Sequence, residues 1–148
     1  MSYASQANLE RALGSPATLV ELLDKDGDGI ADAALISEVL DRADAEINSA
    51  IQIAIELPLT TVPPAIIYYA ADIGAYLAYG FGSGGLAMPQ NIQSRYEDAL
   101  RWLDDVANRK RTVGVAAKPA TDLMVEQVER NPTSAPNVTW QSLQGVFW

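Results

Sequence analysis

The chain contains no cysteine and no histidine. Without cysteine there is no disulfide, no thiolate nucleophile and no zinc–thiolate site. Without histidine the commonest general base and the commonest transition-metal ligand are gone, so Ser-His-Asp and Cys-His catalysis are excluded. Chemistry would have to rest on carboxylates, Tyr, Lys, Arg or a hard cation. Positive charge is also scarce, with 10 Lys and Arg against 19 Asp and Glu and a net charge of −9. Phosphate contacts need Lys and Arg, so this chain is a poor candidate for nucleic-acid binding. The start, Met1-Ser2-Tyr3-Ala4, lacks the basic and apolar regions of a signal peptide, which points to synthesis in a cytoplasm.

The 148 residues suit one domain with an appended tail, and 49% hydrophobic residues argue against wholesale disorder. The charge is uneven. Residues 1–56 carry 11 acids and 3 bases, a net −8; residues 57–110 are at −1 and residues 111–148 at zero.

The centre of that acidity is Asp24-Lys25-Asp26-Gly27-Asp28-Gly29-Ile30-Ala31-Asp32. It sets acids at positions 1, 3, 5 and 9 of a short loop, with Gly29 at position 6, the arrangement of a calcium loop. Four carboxylates this close repel unless a cation joins them. Asp24, Asp26, Asp28, the Ile30 carbonyl and Asp32 are therefore the expected ligands of a structural Ca²⁺. Position 12 holds Leu35 where an EF-hand has a bidentate Glu. The loop is thus either a truncated calcium clip or an acidic turn that caps the next helix.

Apolar periodicity around this loop predicts an all-α fold. Two short helices precede it, one capped by Ser5 and ending at Gly14, the other started by Ser15-Pro16. A long helix capped by Asp32 runs from Ala33 to about Glu56, where Leu57-Pro58-Leu59 stops it. A second runs from Ala65 to Phe81, and a third from Pro89 to about Lys110, closed by Arg109-Lys110-Arg111. Pairs Glu38–Arg42, Glu97–Arg101 and Asp105–Arg109 are expected on the wet faces. The helix over 65–81 is apolar nearly all round. Asp72 at its centre would cost about 3 kcal/mol in a bilayer, so burial in protein is the better reading, with Asp72 paired to an Arg. Its Tyr68, Tyr69, Tyr76 and Tyr79 suit a subunit interface. Gly80 to Gly85 form a flexible joint.

Beyond Thr112 the periodicity fades. The expected division is a helical domain over 1–111 and an extended arm over 112–148. The arm's end gathers Trp140, Leu143, Val146, Phe147 and Trp148, which are costly in water and suit docking to a partner.

Taken in order, these motifs resemble the Mu-like phage head–tail joining proteins, formerly a domain of unknown function. The matching residues are Tyr3-Ala4 and the helix to Leu13, the loop Asp24 to Gly29, Leu57-Pro58-Leu59, Val62-Pro63-Pro64, Asp72-Ile73, and Arg95 to Leu103. The resemblance implies a non-enzymatic adaptor in the neck of a virion. It would be a ring of twelve subunits joining the portal protein to a tail-side neck or terminator protein, with DNA passing through without specific binding. From the residues alone, a calcium-binding protein or a calcium-dependent hydrolase built on Asp24 to Asp32 is the alternative.

Overall fold

A computed structural model describes residues 2–82 and 86–119. Five helices follow in order: α1 (Gln6–Leu13), α2 (Pro16–Leu23), α3 (Ala33–Ile51), α4 (Pro64–Phe81) and α5 (Gln90–Ala107). The described residues contain no strand, only an isolated antiparallel bridge between Ile55 and Ala117. The fold is the expected all-α bundle of two short and three long helices.

The short helices are specified locally. Ser5 accepts from the Asn8 backbone N–H, and the Asn8 side chain in turn accepts from Ser5 N, a reciprocal capping box. Gly14 then stops α1 at φ 89°, a left-handed conformation in which a Cβ would be strained. Ser15 caps α2, with Pro16 in its first turn.

Helix α4 is the hub and packs against α1, α2, α3 and α5. Its buried face is built from small residues: Ala70, Ala71, Gly74, Ala75 and Ala78, with Ile66 and Ile73 between them. Small side chains let neighbouring backbones come close. A Cβ on Gly74 would stand 3.3 Å from Leu9 Cδ1, 3.7 Å from Val39 Cγ1 and 3.8 Å from Leu40 Cδ2, so α1 and α3 meet α4 at this point. At the far end of α4, a Cβ on Gly82 would lie 2.9 Å from Leu22 Cδ2, which seats α2 there. Leu9, Leu19, Leu23, Ile47, Ile51, Leu103 and Val106 fill the remaining core.

Four expectations are corrected. Helix α3 ends at Ile51 rather than near Glu56. The apolar pattern runs on because Ala54 and Ile55 are still buried, but they sit in a turn in which both backbone N–H groups donate to Ile51 O. Helix α5 ends at Ala107 rather than near Lys110, because Arg109 adopts φ 58° and the Lys110 N–H folds back to Asp105 O at 2.8 Å. Arg109 therefore no longer stands one turn above Asp105, which meets Arg111 at 3.3 Å and Lys110 at 3.9 Å. Arg101 takes Asp98 at 2.7 Å in place of Glu97, which accepts from Gln93. Glu38–Arg42 forms as expected at 2.7 Å, and the Arg42 guanidinium also covers the Phe81 ring at 4.7 Å.

Residues Met1–Ala117 make one compact unit. Of the second, Lys118–Trp148, only Lys118 and Pro119 are described. The docking residues Trp140, Leu143, Val146, Phe147 and Trp148 lie outside the described residues, as do residues 83–85 of the glycine joint.

Candidate functional site

The acidic loop leaves α2 at Asp24 and closes on itself where Asp32 N donates to Leu23 O at 2.9 Å. Its shape comes from carboxylates accepting nearby backbone N–H groups. Asp24 accepts from Gly27 at 2.7 Å and from Gly29 at 2.9 Å, Asp26 from Asp28 at 3.2 Å, and Asp28 from Ile30 at 2.8 Å. Gly27 and Gly29 sit at φ 79° and 83°, where glycine is favoured. Asp32 occupies the N-cap position of α3 but does not cap it. Its side chain turns back to accept from Lys25 N at 3.1 Å, so it closes the loop instead.

Oxygens of Asp24, Asp26 and Asp28 lie within 4.8 Å of one another, a spacing that a hard cation could bridge. Asp32 is not grouped with that trio, though its charge acts on Asp26. The loop's electrostatics are divided. Backbone donation, from Gly29 first, holds the Asp24 carboxyl below its ordinary range. Asp26 is also lowered by the Asp28 N–H. Repulsion from the Asp28 and Asp32 carboxylates, partial desolvation and the Asp24 side chain together outweigh this and raise it. A cation among the three would relieve that repulsion, and the donor set of hard oxygens suits calcium.

A second group of polar residues ties helices together from inside. Asp44, on the buried side of α3, accepts from Tyr3 N through both oxygens at 3.1 Å, and burial raises its carboxyl. The Tyr3 hydroxyl donates to Asn48, one turn along. On α4, Asp72 pairs with Arg95 of α5, and the same guanidinium donates to Ala12 O at 2.8 Å, one of the carbonyls left open at the end of α1. One arginine thus joins three helices. The Tyr96 hydroxyl donates to Glu46 at 2.9 Å. Burial, with Glu46 behind it, pushes Tyr96 up to about 12, so the donor keeps its proton throughout the neutral range.

The four tyrosines of α4 divide. Tyr69 stacks on Trp102, with ring centroids 4.6 Å apart, and Tyr76 on Tyr96 at 3.9 Å. Both rings are engaged within the chain, and Tyr79 is half-buried. Tyr68 is different: it is 63% exposed and borders a cleft of about 270 Å³ shared with Asn8, Arg11, Ala12, Ala71, Asp72 and Arg95. The sequence reading did not single out Arg11 or Asp44. Asp44 had a readable signal, since it interrupts the apolar stripe of Leu40, Ala43 and Ile47 on α3.

The family model described as Bacteriophage Mu, Gp36 matches residues 3–129. The chain belongs to this family. The match begins at Tyr3, the residue that Asp44 holds, and takes in the acidic loop and all five helices. As a member of the Mu Gp36 family it is a phage protein. Comparison with curated proteins gives no match. No helix among the described residues is long and apolar enough to cross a membrane.

Proposed function

We propose that this chain is the head–tail connector, or neck adaptor, of a tailed phage: a structural protein and not an enzyme. Membership of the Mu Gp36 family across residues 3–129 carries the reading. The chemistry supports it. The chain lacks histidine and cysteine, and the carboxylates of its acidic loop are occupied in shaping the loop with their own backbone. In this reading the loop is a clip, holding Ca²⁺ among Asp24, Asp26 and Asp28, that fixes α1 and α2 against α3.

Twelve copies form a ring beneath the portal protein, meet a tail-side neck or terminator protein below, and remain in the virion. Ring contacts are heterologous, so a face carrying Tyr68 meets a different face of the next copy. The net −8 of residues 1–56 suits a channel wall past which DNA slides without sticking. The arm with Trp140, Leu143, Val146, Phe147 and Trp148 grips a partner.

Sedimentation of the full chain, alone and mixed with portal protein, tests this. A ring or a ring-on-portal complex is expected. A monomer that ignores the portal in both calcium and chelator would end the adaptor reading. Deleting residues 138–148 should leave the helical circular dichroism intact and abolish docking.

A further inference from the structure

The cleft beside Tyr68 and the acidic loop are opposite in charge, and each exposes an apolar side chain. The cleft has an apolar wall of Tyr68, Ala71 and Ala12 and carries two guanidiniums. Arg95 is neutralised by Asp72, but Arg11 is exposed and has no ion-pair partner among the described residues, which leaves the cleft at a net +1. The loop offers the converse. Asp24, Asp26, Asp28 and Asp32 against Lys25 give it a net −3, or −1 with one Ca²⁺ bound, and Ile30 on the same loop is 69% exposed. A bare isoleucine flanked by carboxylates is the counterpart of an aromatic-walled cleft flanked by guanidiniums.

Within one copy the two features are set apart along α4. The cleft lies at Asp72, in the N-terminal half of α4, and the loop leaves α2 beside Leu22, which packs on Gly82. Ten helical residues separate Asp72 from Gly82, roughly 15 Å at 1.5 Å per residue. The loop's ends are fixed by α2, α3 and the Asp32-to-Leu23 hydrogen bond.

We infer that the Ile30 tip of the acidic loop on one copy docks into the Tyr68–Arg11 cleft of the next, as the heterologous contact that propagates the ring. This rests on the connector reading and names the two faces that meet. Ile30 packs against the Tyr68 ring while the loop's outward carboxylate oxygens face Arg11. Such a contact repeats head to tail and closes when the rotation between copies is right.

Charge reversal tests it in the full chain, by sedimentation at low salt with calcium present. Arg11→Glu and Asp28→Lys should each weaken self-association about tenfold or more, in the range of an interface hot spot. Mixing the two variants should restore it in part, because alternate junctions are then wild-type pairs and in the others the new lysine faces the new glutamate. Ile30→Ser, which removes a side chain already in solvent, should weaken association as well, with unchanged circular dichroism and Tm. Assembly that survives all three substitutions overturns the docking contact and leaves the ring intact. So does a mixture that fails to recover when each variant alone is folded and the Asp28→Lys chain still melts higher in calcium than in chelator. A wild-type chain that stays monomeric even beside the portal protein overturns both readings.

Discussion

The acids of the loop and the acids of the helices solve opposite problems. Asp24, Asp26 and Asp28 crowd together on the surface, and their partners are backbone N–H groups two to five residues away. Asp44 and Asp72 are isolated from each other, and their partners stand 41 and 23 residues along the chain. The loop acids fix a local shape at the cost of mutual repulsion. The helix acids give up hydration and in return fix how distant segments meet: the start of the chain on α3, and α1 with α4 and α5. Local acids are therefore the place to look for ion sensitivity, and long-range acids the place to look for stability.

The sharpest way to break this contrast is at Arg95. Arg95→Ala leaves Asp72 without its cation and Ala12 O without its donor. A loss of about 3 kcal/mol is expected in urea unfolding, with α1 the first helix to lose amide protection. A loss no larger than that of a surface substitution would mean that this arginine does not bind the helices together.

Asp44 should give a smaller effect. Asp44→Ala removes both acceptors of Tyr3 N and should cost about 2 kcal/mol. Asp44→Asn keeps an acceptor and cannot ionise. Burial raises this carboxyl in the fold. Its contribution to stability is therefore complete below its unfolded pKa and is lost as pH rises through its folded pKa. The stability gap between the Asn variant and wild type should move in favour of Asn as pH rises through that window, and a gap moving the other way would refute the burial account.

At the loop the expectation is ion dependence. Calcium at about ten times its Kd would add roughly 1.4 kcal/mol, seen as a higher Tm than in chelator. Coincident melting curves would mean that the loop holds no ion. The smallest effect belongs to Asp26, which its neighbours push upward. In chelator its repulsion is felt more as pH rises through its folded pKa, so Asp26→Asn should melt slightly higher than wild type at neutral pH. In calcium the order should reverse, because a ligand has been lost.

Much of this could be read from the chain before any folding, wherever the cause is local. Ser5, Gly14, Ser15 and Pro16 mark the short helices, and the structure puts boundaries there. The spacing of the acids from Asp24 to Asp28 places three carboxylates together, because a few residues around two left-handed glycines have little freedom. Helix ends governed by remote contacts were not legible. Ala54 and Ile55 continue the apolar pattern of α3 and are buried as that pattern requires, yet they lie in a turn whose last residue pairs with Ala117. Exposed ion pairs were legible only as a class, since Arg101 has four acids within a helical turn on either side, Glu97, Asp98, Asp104 and Asp105, and the energy differences between them are small.

The sequence by itself determined that the protein is helical, acidic in its first half, without thiol or imidazole chemistry, and built around a loop of closely spaced carboxylates. Composition and short-range spacing are enough for that, because caps, turns and amphipathic faces act over a few residues. Only the tertiary structure decided which acids are buried, that one arginine joins α1, α4 and α5, and that of the four tyrosines on α4 two stack inward while Tyr68 stands beside a cleft. Those outcomes depend on which surfaces α4 meets. Its small residues admit α1 and α3 at close range, and that approach is a property of the packed helices that no single stretch of chain contains.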